Sequence, residues 1–148
     1  MKKLLFVFAA LLMIGSASAQ KVKFKKDKAV IDDVEVYNVD KDGMMMTLAT
    51  LSGNEFITIL TTTYQEKNPH HYNANNPHAN KFPQFVTKEV HTVRFLKSGA
   101  ELYTDQSFKD IVKNVYKSGM VDAEGNLDDE KVNIFINKYN NENLKLKL

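Results

Sequence analysis

The apolar residues of this chain change their spacing once. Up to about Thr104 they recur at every second position, and beyond it they recur with the 3.6-residue period of a helix. A period of two lays one apolar face along a strand, and a period of 3.6 lays one apolar stripe along a helix. Strands gathered first and helices gathered last exclude a βαβ alternation and predict an α+β fold.

The strand segments can be read individually. Lys21, Lys23 and Lys25 alternate with Val22 and Phe24. "AVID" follows after a polar turn, and "DVEVYNV" sets Val34 and Val36 on one face against Glu35 and Tyr37 on the other. "DKDG", Asp40 to Gly43, is a turn in which Gly43 can take a positive φ. "MMMTLATL" and "EFITILTTTY" are apolar, β-branched runs joined through "SGN", Ser52 to Asn54. "EVHTVRFL", "KSGA" and "ELYT" read as strand, turn and strand. Links this short suit antiparallel neighbours. They predict a mostly antiparallel sheet of six to eight strands.

Phe108, Ile111, Val112, Val115 and Tyr116 then form one helical stripe, with Thr104 or Asp105 as the N-cap and Gly119 as the terminator. Val132, Phe135, Ile136 and Tyr139 form a second stripe. Asp128 is its N-cap, and Leu127 with Val132 makes a hydrophobic staple. The pair is expected to cover one face of the sheet. "NENLKLKL" alternates and reads as a last strand or a frayed tail.

The chain opens "MKKLLFVFAALLMIGSASAQ". A basic start, an apolar run from Leu4 to Ile14 and the small-residue site Ala17-Ser18-Ala19 have the anatomy of a secretory leader over residues 1–19, cleaved near Ala19-Gln20. The apolar run is short for a membrane span, which takes roughly 20 residues. The expected mature protein is one α+β domain over 20–148, periplasmic or secreted. Two of the 20 basic residues leave with the leader and none of the 18 acids do, so the mature chain is formally neutral. That balance speaks against nucleic acid as a partner, which calls for a basic footprint. Without cysteine there is no disulfide framework, and the hydrophobic core must hold the fold.

"NPHHYNANNPHAN", Asn68 to Asn80, carries three of the four histidines, and all three prolines, Pro69, Pro77 and Pro83, lie in or beside it. Composition makes residues 65–83 a long polar loop, and loops of that length in compact domains are commonly functional or mobile. Two uses compete. The loop is a contact surface in which Tyr64, Tyr72 and Phe82 join His70, His71 and His78, since aromatic residues are enriched at interfaces. Or His70, His71 and His78 hold zinc or copper through their imidazoles.

Other clusters carry less. Met44 to Met46 could bind copper(I), but they adjoin an evident core strand. "DAEGNLDDEKVN", Asp122 to Asn133, begins like a calcium loop and then fails. Its sixth position is Leu127 instead of Gly, and its twelfth is Asn133 instead of Glu. The chain has no cysteine nucleophile, G-x-S-x-G elbow, H-E-x-x-H or glycine-rich phosphate loop. His91 on "EVHTVRFL" should face inward with Val93 and Phe95 as a structural residue.

The leader ending in "SASAQ", the Lys/Val-alternating first mature strand and the "GNLDDEKVNIFINKY" helix resemble small exported proteins of unknown function of the Bacteroidetes type. The resemblance implies a cell-envelope setting, names no reaction and supplies no functional residues. The reading is a non-catalytic binding or interaction module with a protein, glycan or small-molecule ligand and no cofactor. A periplasmic metal-handling protein is the alternative, and a small hydrolase comes behind both.

Overall fold

The computed structural model describes residues 20–148, so the leader expected over 1–19 lies outside the described residues. β1 (Val22–Lys25), β2 (Lys28–Ile31), β3 (Val34–Asp42), β4 (Met45–Ala49), β5 (Glu55–Lys67), β6 (Phe85–Phe95) and β7 (Glu101–Thr104) form one seven-stranded sheet. Its spatial order is the sequence order, and every pair is antiparallel. α1 (Phe108–Ser118), α2 (Asp129–Tyr139) and the short α3 (Glu142–Lys145) follow. This is the α+β architecture that the change of period predicts.

The main core lies between one sheet face and the first two helices. Leu48, Ile57, Ile59, Val93 and Phe95 meet Ile111, Val112 and Val115 of α1 and Val132 and Phe135 of α2. α1 packs against β1, α2 packs against β7, and the two helices touch each other. Ser107 caps α1, accepting from the Asp110 amide at 3.2 Å. Thr104 is still in β7, and its hydroxyl accepts from the Gln106 amide at 3.2 Å, so neither it nor Asp105 starts the helix. Gly119 ends α1 at φ +58°, and Asp128 caps α2 through the amides of Glu130 and Lys131.

Two bulges override the simple alternation. The β2–β3 register passes from Ala29↔Tyr37 to Val30↔Glu35, which leaves Val36 unpaired. The β4–β5 register passes from Leu48↔Ile57 to Ala49↔Glu55, which leaves Phe56 unpaired. An extra residue turns two successive side chains toward one face. Phe56 and Ile57 are accordingly both fully buried. On β3 the expected faces are corrected: Tyr37 is 6% exposed with its ring centroid 5.1 Å from that of Phe56, while Val34 is 60% exposed.

The C-terminus is neither a strand nor a frayed tail. Asn141 caps α3. The preceding turn seals the free edge of β7: the Tyr103 amide donates to Asn140 Oδ1 at 2.8 Å, and the Asn141 amide donates to the Tyr103 carbonyl at 2.8 Å. Leu144 then reaches the opposite sheet face and packs with Val90, Tyr103 and Tyr64.

β5 and β6 outrun their neighbours. β4 pairs only as far as Met45↔Leu60, and β7 only as far as Thr104↔His91. β5 and β6 continue from Thr62↔Val90 to Lys67↔Phe85 as a two-stranded arm. The long loop therefore begins at Asn68 rather than at Gln65, and it ends at Gln84.

Candidate functional site

The arm tip holds most of the residues that composition singled out. A free two-stranded ribbon is marginally stable, so its crown needs internal bonds. Asparagine supplies them. Asn68 is buried, and its amide closes the arm by donating to the Gln84 carbonyl at 2.9 Å. Its Oδ1 accepts from the His70 amide at 3.0 Å. Asn76 Oδ1 accepts from the His78 amide at 3.0 Å in the same way, and Asn73 Oδ1 accepts from the Asn75 amide at 3.0 Å. "Asn-Pro-His" occurs twice and builds the same turn twice, proline presetting φ and asparagine replacing a backbone acceptor. A 3-10 turn, Ala79–Lys81, leads back toward β6.

The His70 and His71 imidazoles have separate attachments. His71 Nδ1 donates to the Phe82 carbonyl across the loop at 2.7 Å. The His70 ring lies 5.4 Å from the Phe82 ring, and the His71 ring lies 4.9 Å from the Tyr72 ring. His78 precedes the 3-10 turn. Among the described residues no three His, Asp or Glu side chains are grouped closely enough to hold a metal ion. His70, His71 and His78 thus share a loop without forming one ligand set for zinc or copper.

The tip brings aromatic surface together. Tyr72 (53% exposed), Phe82 (39%) and Phe85 (45%) stand in solvent, with Lys67 Nζ 5.9 Å from the Tyr72 ring centroid. Phe85 is a tip residue that the loop composition passes over. It is the first residue of β6, and no further residue of β5 covers it. Tyr64 belongs to the base of the arm: it packs with Leu144, and Lys147 Nζ lies 5.7 Å from its ring. From Lys67 to Lys88 there is no acidic residue, while Lys67, Lys81 and Lys88 are basic. The arm tip is therefore a locally positive, aromatic projection.

The other clusters resolve into structure. Met46 is buried in the core, whereas Met44 and Met45 are exposed around the β3–β4 turn. The Asp122 carboxylate accepts from the amides of Glu124 and Asn126 and from Asn126 Nδ2. Those bonds hold it below the usual carboxylate range and organise the α1–α2 link. That link docks on the β4–β5 turn through Asn54 Nδ2, which donates to the Glu124 carbonyl at 2.9 Å. His91 faces inward with Val93 and Phe95, as its alternation predicts. Its Nδ1 is 3.0 Å from Thr61 Oγ1, and its ring centroid is 4.6 Å from that of Phe108.

No family model, curated protein or solved structure matches this chain.

Proposed function

We propose that this protein is an exported, non-catalytic interaction module of the cell envelope that touches its partner with the tip of the β5–β6 arm. One observation carries the reading. The arm projects past β4 and β7 and presents Tyr72, Phe82 and Phe85 to solvent from a crown fixed by its own hydrogen bonds. Large rigid aromatics on a preorganised loop lose little conformational entropy on binding. The acid-free run from Lys67 to Lys88 favours a partner with negative surface, whether a protein, a glycan or a smaller ligand. Export rests on the leader at residues 1–19, with the mature chain starting at Gln20 and no cofactor involved in the contact.

Photo-crosslinking in the source cells tests this. A benzophenone amino acid replaces Tyr72 or Phe82, and a control replaces Ile134, which is exposed on α2. Irradiation should produce an adduct, read as a mass shift on the purified protein, at both arm positions and not at Ile134. Absence of an adduct at the arm, or an equal adduct at Ile134, overturns the reading.

A further inference from the structure

The end of the sheet opposite the arm carries a second, chemically different concavity. It lies where the start of β3, the β4–β5 turn and the C-terminal end of α1 meet, and it encloses about 610 Å³. That volume is within the range of small-molecule sites. Val34, Val36, Leu51 and Val121 give it aliphatic walls, and Tyr37 and Tyr116 give it two rings with centroids 6.3 Å apart at 75°. Val34 and Leu51 are more than half exposed at its mouth.

Tyr37 is the informative residue. Its side chain is buried against Phe56, yet it lines this groove. Among the described residues no hydrogen bond reaches its hydroxyl, and burial with the nearby Tyr116 phenol raises it far above the ordinary phenol value. Tyr37 is a lining residue of the groove, so its side chain is within reach of a ligand seated there. A buried phenol in a core normally finds a partner. Here a ligand seated in the groove can supply one.

The lining also fixes the sign of charge. Glu35 and Asp122 are its charged residues, and no lysine or arginine lines it. The bonds from Asn126 and Glu124 keep Asp122 ionised. Tyrosine ring faces attract cations as well. The bulge on β3 creates this arrangement, because it turns Tyr37 to the core side at the groove's wall while leaving Glu35 exposed.

We infer that this groove binds a small organic cation, an ammonium group on an apolar body. The ammonium donates to the Tyr37 hydroxyl in the negative field of Asp122 and, from the opposite sheet face, of Glu35. The apolar body lies along Val34, Leu51 and Tyr116. The site is independent of the arm and of any partner the arm meets.

The test uses 4-phenylbutylamine, and 4-phenylbutyrate as its oppositely charged counterpart, titrated into the mature chain by two-dimensional NMR. The amine should shift the amides of Val34 to Tyr37, Leu51 and Val121 to Ala123, and the carboxylate should bind at least about tenfold more weakly. Tyr37→Phe should weaken the amine about tenfold, the effect of one hydrogen bond to a charged group. Leu51→Lys, made at an exposed position so that folding is retained, should abolish binding by placing a cation at the mouth. No amide shift at about 10 mM amine, equal binding of the carboxylate, or unimpaired binding by Leu51→Lys overturns the assignment.

Discussion

His91 shows how one side chain ties the strand pattern to the behaviour of the fold. It sits in the last row that β7 reaches, paired with Thr61 on one side and Thr104 on the other. Burial under Phe108 pushes its imidazole below the ordinary value of 6.5, and this outweighs the opposing pull of Glu89, whose Oε2 is 4.0 Å from Nε2, and of Asp105. A base with a lowered folded-state pKa is protonated first in the unfolded chain. Stability is therefore complete above pH 6.5 and declines as pH falls from there toward the folded-state value. Thermal melts between pH 7.5 and 5 should show Tm falling, and His91→Gln should flatten that dependence. An identical slope in both proteins would contradict this role. The carboxylates held low by partners, such as Asp110 beside Lys113, lose their contribution only below the ordinary value of 3.8, in a separate window. Gly125 is a second sensitive point. Its φ is +84°, and an added Cβ would sit 2.9 Å from Asn54 Cβ, where the α1–α2 link docks on the β4–β5 turn. Gly125→Ala should cost about 1–3 kcal/mol in urea unfolding. The inward turn of His91 was legible from the alternation with Val93 and Phe95. The inward turn of Tyr37 was not, because a bulge is a register event that one strand's sequence does not display.

At the scale of elements, the strands, their antiparallel order and the two main helices were legible because each carries its own apolar period. Two features escaped. "NLKLKL" alternates like a strand, yet Asn140 and Asn141 cap the β7 edge and turn the chain into α3, so the deciding contacts are tertiary. The arm's full length escaped because Gln65, Glu66 and Lys67 are polar and exposed on both faces, which removes the alternation that marks a strand. The candidate site was legible as a loop rich in Asn, His and Pro. Its asparagines turned out to be acceptors for local amides, and among the described residues its histidines do not gather into one cluster. Two predictions follow from that division of labour. Asn140→Ala should destabilise by about 1–3 kcal/mol, because it orphans the half-buried Tyr103 amide, and unfolding by denaturant measures it. Replacing residues 69–83 with Asn-Gly should leave Tm within a few degrees of the parent. None of those residues is buried, and the two-residue turn suits the hydrogen-bonded Asn68–Gln84 pair that closes the arm. A collapse of the fold in that variant would mean that the crown supports the body.

For the whole molecule, the consequence is an uneven distribution of stability. One core, with no cysteine to staple it, joins the first two helices to the sheet, and the arm stands outside that core. The arm is anchored by the small cluster of Tyr64, Val90, Tyr103 and Leu144 on the opposite face. Segments with few buried apolar contacts open without global unfolding. Amides of Thr62 to Lys67 should therefore exchange with deuterium through a local opening, whereas those of Phe56 to Leu60 and Val93 to Phe95 should exchange only through global unfolding. Leu144→Ala removes the anchor's central side chain. It should speed exchange in Thr62 to Lys67 and Phe85 to Val90 more than in Phe56 to Leu60, as followed by mass spectrometry of peptides from each segment. Equal protection along the whole of β5, or an equal response of both halves to Leu144→Ala, would show arm and body to be one cooperative unit. A separable arm would let the tip meet a partner without straining the groove at the other end, so binding at the two sites should be additive.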